Sequence, residues 1–178
     1  MSSLRLDLTT EQLAKIEQCL KTLQWETGAR WVLLADMTGQ FISERGLPRG
    51  LNSLNVEAIS ALAAGNLATT REIARLIGEE ARFKLLLHEG EHQSVYLSDM
   101  EGELVLVTAF DNSIPIGMVR LHTKQAVNHL QKILREVRAA VPSPAASLDE
   151  DFGQLLASEM NFSFEPGQGR ENPDAKIG

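Results

Sequence analysis

The segment WVLLADMTGQFIS, residues 31–43, decides the fold class. Its first five residues, Trp31-Val32-Leu33-Leu34-Ala35, are apolar without a break. A strand with one wet face alternates apolar and polar side chains, so an unbroken apolar run marks a strand covered on both faces. Asp36-Met37-Thr38-Gly39 supplies turn residues, and residues 40–44 return as the hairpin partner. The sheet begun here therefore needs a layer above it and another below.

Both layers are available nearby. Residues 10–26 carry Leu13, Ile16, Leu20 and Leu23 at helical spacing, with Thr9 or Thr10 as the cap and Gly28 as the stop. After the loop Gly46-Leu47-Pro48-Arg49-Gly50, Asn52, Ser53 or Asn55 can cap a long second helix ending near Gly78. Three strand-like runs follow at 83–88, 94–98 and 104–110, separated by turn clusters at Glu89-Gly90 and Met100-Glu101-Gly102. A third helix starts after Pro115 and runs to about residue 140, with Val119, Ala126, Val127, Leu130, Ile133, Leu134 and Val137 on one side. The order α-β-β-α-β-β-β-α, with short turns between strands, predicts an α+β fold with an antiparallel sheet flanked by three helices.

The chain has 178 residues, 43% apolar and 23% charged, enough for one core and an appendage. Its formal charge is −7, and residues 141–178 hold seven acidic and two basic side chains, so 7 − 2 leaves −5 in the tail and −2 in the body. Neither part has the basic stripe that neutralises phosphates, so nucleic acid is not an expected partner. No apolar run approaches the roughly 20 residues of a bilayer span, and no basic-then-apolar leader opens the chain, which predicts a cytoplasmic protein with no membrane partner. Cys19, the only cysteine, sits at a spacing from Ile16 and Leu20 that suits a buried small hydrophobe.

Pro142-Ser143-Pro144-Ala145-Ala146 reads as a stiff linker closing a domain over residues 1–140. Ser147-Leu148-Asp149-Glu150 then has a capping-box pattern, and Phe152, Leu155, Leu156 and Met160 fall on one face of a short acidic helix. Such a helix is too short to stand alone in water and should dock on its own domain, a second copy or a partner. Residues 165–178 are expected to be disordered.

His88-Glu89-Gly90-Glu91-His92 matches the zinc-hydrolase pattern HExxH letter for letter. That pattern works on a helix, where two His four residues apart share a face and the Glu between them serves as base. Here apolar strand runs lie on both sides and Gly90 sits at the centre, so the five residues read as a hairpin turn and no metal is expected. No phosphate-cradling loop, dinucleotide fingerprint or nucleophile elbow occurs, so neither a cofactor nor a catalytic site of the chain's own is expected. His122, Lys124, Lys132 and Arg135 give the third helix a basic outer side, read as a solvated face.

The second helix holds the unusual stretch ALAAGNLATT, residues 61–70. At 100° per residue, Val56, Ile59, Leu62, Leu67, Ile73, Leu76 and Ile77 are expected to cover the sheet. Opposite them fall Glu57, Ala61, Ala64, Ala68, Arg71, Glu72 and Arg75, with Gly65 at the margin. Exposed Ala can simply support helicity, but a mid-helix Gly costs about 1 kcal/mol relative to Ala and points to a close neighbour. The strip is therefore expected to be a protein interface.

The same element order, with GARWVLLADMTGQFIS, the AGNLATT helix, GEEARFKLLLHEGEHQSVYL and LVLVTAFDNSIPIGMVRLH, resembles the Roadblock family of dynein light chains, in particular its bacterial polarity and gliding-motility branch. The resemblance implies a five-stranded antiparallel sheet with one long helix on one face and two on the other, and a homodimer that extends the sheet with its second helices side by side. It also implies binding of a small Ras-like GTPase of the MglA type and activation of GTP hydrolysis without an arginine finger. The family's contact helix matches Ala61, Ala64, Gly65 and Ala68, with Arg71 and Arg75 beside them, and some relatives add a C-terminal contact that would fall on Phe152, Leu155 and Leu156. The alternative is a scaffold that tethers partner proteins and changes no rate.

Overall fold

In the computed structural model the apolar run becomes β1 (Trp31–Asp36), and its turn leads into β2 (Phe41–Arg45). Residues 8–48, 50, 53–79, 83 and 85–140 are described. Before the hairpin lies α1 (Thr10–Thr27); after it come α2 (Ser53–Leu76), β3 (Leu85–Glu89), β4 (Gln93–Met100), β5 (Leu104–Asp111) and α3 (Ile116–Ala140). The strands form one sheet in the order β2-β1-β5-β4-β3, every neighbouring pair antiparallel. The expected order of elements and the α+β class hold.

The lack of alternation in β1 has the cause expected of it. Val32 and Leu34 join Ile16, Leu20, Leu23, Val119, Leu130 and Leu134 in the layer beneath α1 and α3. Leu33 and Ala35 point the other way, into a second cluster with Ala63, Leu67, Leu97, Val105 and Val107 beneath α2. β5 splits its side chains in the same manner. Each fully buried Leu or Val contributes about 1.5–3 kcal/mol, so the two central strands anchor both cores at once.

Local signals place the ends. Thr9 caps α1: its Oγ1 accepts from the Gln12 N–H at 3.2 Å while Gln12 Oε1 accepts from the Thr9 N–H at 2.9 Å. Gly28 ends the helix in the left-handed conformation, φ 69°. α1 and α3 run antiparallel, fixed by His122 Nδ1 to Glu26 Oε2 at 3.0 Å near one end and Lys15 to Glu136 at 3.5 Å near the other. Between them Cys19 is buried, its thiol pushed up to about 11 first by desolvation and second by the Glu26 charge.

The HEGEH segment is a hairpin. His88 lies in β3 opposite Val95, and the Gly90 N–H donates to the Gln93 carbonyl. The Asn112 amide donates to the Gly90 carbonyl at 2.7 Å and accepts from Ser94 Oγ at 2.7 Å, so a residue after β5 clamps the turn.

The phase of α2 is a correction. Ser60, Ala63, Ala64, Leu67 and Ala74 are buried, with Ala64 only 3% exposed, and Val56 and Ile59 are half-buried. Leu62, Ile73, Leu76 and Ile77, expected over the sheet, are exposed by 67%, 49%, 70% and 67%. The sheet surface beneath α2 is already filled by Leu33, Leu97, Val105, Val107, Trp31 and Phe41, so small side chains on the helix let it settle close. The turn before β2 uses the same closeness. Gly39, at φ 89°, has no room for a Cβ, which would sit 2.8 Å from the Ala61 Cα. Asp36 Oδ1 holds that turn by accepting from the Thr38 N–H, the Thr38 hydroxyl and the Gln40 N–H at 2.6–2.8 Å.

The chain divides into Met1–Ala139 and Ala140–Gly178. The expected linker, the expected acidic helix with Phe152, Leu155 and Leu156, and the end expected to be disordered all lie outside the described residues.

Ala64→Arg should lower stability by about 2 kcal/mol or more, through overpacking and a buried charge, while Ala68→Arg should stay within about 0.5 kcal/mol. Urea unfolding of both variants measures the difference, and equal midpoints would refute this helix phase.

Candidate partner-binding surface

On the outer side of α2, Leu62, Asn66, Thr69, Ile73 and Leu76 are all exposed and follow one another by four, three, four and three residues. That alternation gives a 3.5-residue period, which keeps one line of side chains facing a neighbouring helix. The line has large apolar residues at its two ends and small or polar ones in the middle, where Gly65 meets no atom within 4 Å of a would-be Cβ. Ala61 and Ala68 lie exposed on one flank. Of the strip expected to bind a partner, Ala61, Gly65, Ala68 and Arg75 are thus at the surface, and Ala64 is not.

Arg71 is also not free for a partner. Its Nη2 donates to Asp99 Oδ1 at 2.9 Å, and the same oxygen accepts from the Gly102 N–H at 2.8 Å. The Asp99 side chain is 4% exposed and that of Arg71 27%, so the pair ties α2 to the turn between β4 and β5. Arg71 Nε is buried without a hydrogen-bond partner. Arg75 pairs along the helix with Glu72 at 2.5 Å. The hydrogen bond from Arg75 holds the Glu72 carboxyl below the usual carboxylate range, and the same bond raises Arg75. Both side chains are solvated, so this pair shapes the surface charge more than the stability.

Beside the C-terminal half of α2 the sheet stops. β3 pairs only with β4, and its outer edge carries Leu85, Leu86 and Leu87, all half-buried. An edge opening with three leucines in a row is a template for another strand. Reading by hydropathy missed this combination because it placed Leu62, Ile73, Leu76 and Ile77 inside; the four-three spacing of Leu62, Asn66, Thr69, Ile73 and Leu76 was the signal that could have located the outer row.

His88 and His92 are both exposed on the β3–β4 hairpin. Among the described residues no three His, Cys, Asp or Glu side chains are grouped to hold a metal, and no helix is long and apolar enough to cross a membrane.

Comparison with known proteins agrees with this architecture. The family model for the Roadblock/LC7 domain matches residues 15–110. The structure of Myxococcus xanthus MglB is similar at 33% identity, over 77% of this chain and 98% of that one, with a TM-score of 0.68. The gliding protein MglB from Thermus thermophilus is 32% identical over 72% of this chain and 95% of its own, TM-score 0.65. A third structure, MglB with tetrameric arrangement, is 32% identical over 73% and 95%, TM-score 0.66. No curated protein matches the chain by sequence.

Removing the carboxylate that anchors α2 tests the strut. Asp99→Ala should cost about 1–3 kcal/mol, since it strands the Arg71 guanidinium and the Gly102 N–H. A double-mutant cycle with Arg71→Ala should return a non-zero coupling; additive losses would mean that the two side chains do not act together.

Proposed function

The chain belongs to the Roadblock/LC7 family, and we propose that it is an MglB-like homodimeric regulator of a small Ras-like GTPase of the MglA type. The observation that carries this reading is the exposed row on α2, which places large apolar side chains in water beside an open strand edge. Two such surfaces on one helix suit two kinds of neighbour. Ile73, Leu76 and Ile77, at the end of α2 that Arg71 ties to β4, suit a second copy, whose own helix would bury them. The tetrameric arrangement of a 32% identical relative supports self-association.

The middle of the helix, with Ala61, Leu62, Gly65 and Ala68, suits the GTPase. Its small side chains admit a close backbone, and Leu62 offers one apolar anchor. Binding there would act by packing against the switch segments of the GTPase and favouring their hydrolytic arrangement, so that the chain stimulates GTP hydrolysis with the partner's own catalytic groups. The internal engagement of Arg71 with Asp99 and of Arg75 with Glu72 is consistent with a mechanism that lends no arginine.

Mixing the protein with a GTP-loaded MglA-type GTPase should accelerate phosphate release, and Leu62→Glu should abolish that acceleration while leaving the homodimer intact. Ile73→Glu with Leu76→Glu should yield a monomer by light scattering. Complex formation without any rate change would convert the reading to a scaffold, and no complex at all would end it.

A further inference from the structure

The two layers do not cover the sheet equally far. On the side of α1 and α3, the second of these helices passes over β4 but leaves a groove between itself and the edge of the sheet. The groove has a volume of about 760 Å³ and is lined by residues of β3, β4, the β4–β5 turn and α3. Its floor is apolar: Leu85 and Val127 are half-buried and Tyr96 is buried, with Ser98 beside them. Its wall is one flank of α3, where Arg120, Lys124, Asn128 and Gln131 recur at helical spacing.

Several features distinguish this groove from an ordinary solvated face. The side chains of Arg120 and Lys124 bond to none of the described residues, so two cations one turn apart stand over an apolar floor. Two carboxylates share the lining, and both are engaged elsewhere: Asp99 is committed to Arg71 and Gly102, and Glu101 has an interaction of its own. The volume lies within the roughly 300–1,000 Å³ typical of small-ligand pockets, which pair mostly apolar walls with a few placed polar groups.

From these observations we propose that the groove between α3 and the β3–β4 edge binds a small anionic amphiphile, its carboxylate or phosphate head held by Arg120 and Lys124 and its apolar body laid along Leu85, Tyr96 and Val127. Ser98 supplies a hydrogen bond on the floor, and Asn128 and Gln131 supply others from the α3 wall. The site lies on the sheet face opposite α2, so it is separate from the proposed GTPase contact and stands or falls independently of it.

Titration calorimetry on the full chain tests this with monomeric dodecanoate and dodecyl phosphate as probes. Saturable binding with one site per chain is expected. Arg120→Glu with Lys124→Glu should weaken it by at least about tenfold. Asn128→Trp should weaken it by filling the groove without changing charge. Both alter exposed helix positions, so the melting temperature should hold, and Leu62→Glu on the far face should bind as the parent does. Four results would each overturn the proposal: no saturable binding, unchanged affinity in both groove variants, inorganic phosphate binding as tightly as dodecyl phosphate, or binding only to vesicles of mixed zwitterionic and anionic phospholipid, which would signify adsorption to a membrane surface.

Discussion

A single helix, about 10–12 Å across with its side chains, has to cover one face of a sheet whose five strands span roughly 19 Å. Everything distinctive about the surface follows from that mismatch. On the opposite face two helices share the task, and the larger cluster beneath them runs from Ile16 to Leu134, open toward the β3 edge. Beneath α2 the core is narrower, with Leu33, Val105 and Val107 buried while Trp31, Phe41, Val95 and Leu86 around them are only partly covered. The chain places the helix as low as it can by lining its inner side with Ala63, Ala64 and Ala74. Close approach strengthens dispersion contacts over the central strands, but it leaves the margins of the sheet and the upper side of the helix for something else to cover.

The strut between Arg71 and Asp99 belongs to the same compromise. The buried side of α2 carries Ala63, Ala64 and Ala74 around one fully buried large side chain, Leu67, so it interlocks with the sheet at few points. A directional bond from Arg71 to a carboxylate that also fixes the following turn gives α2 a register over the sheet that alanines alone would not supply. The Gly39–Ala61 contact does the same near the other end of the helix. These two points hold the outer row of α2 in a defined orientation, which is what a surface needs if it is to meet a partner without first being ordered.

Much of this was legible in the sequence, and the failures have physical reasons. Apolar runs, turn clusters and the Thr9 and Gly28 boundaries depend on local stereochemistry, so the element order could be read directly. The HEGEH hairpin was legible because Gly90 and its flanking strands contradict a helix. The rotation of α2 was not, because apolar residues occur on both of its sides and hydropathy rewards burying the larger ones. Leu33, Val105 and Val107 of the sheet fill much of the interface, and only the folded chain shows that α2 meets them with Leu67 and the small side chain of Ala63. The groove along Arg120 and Lys124 was invisible for a different reason: its lining is assembled from four segments, none of which carries a pocket by itself.

The turn at Gly39 has a consequence for how such a chain drifts over generations. Residues 39 and 61 are far apart in sequence but share one small volume, filled on one side by backbone. A side chain at position 39 would push the helix away from the hairpin, so the glycine cannot change freely while Ala61 keeps its place. Descendants of this sequence will carry that pair as a joint memory of how near the two segments lie.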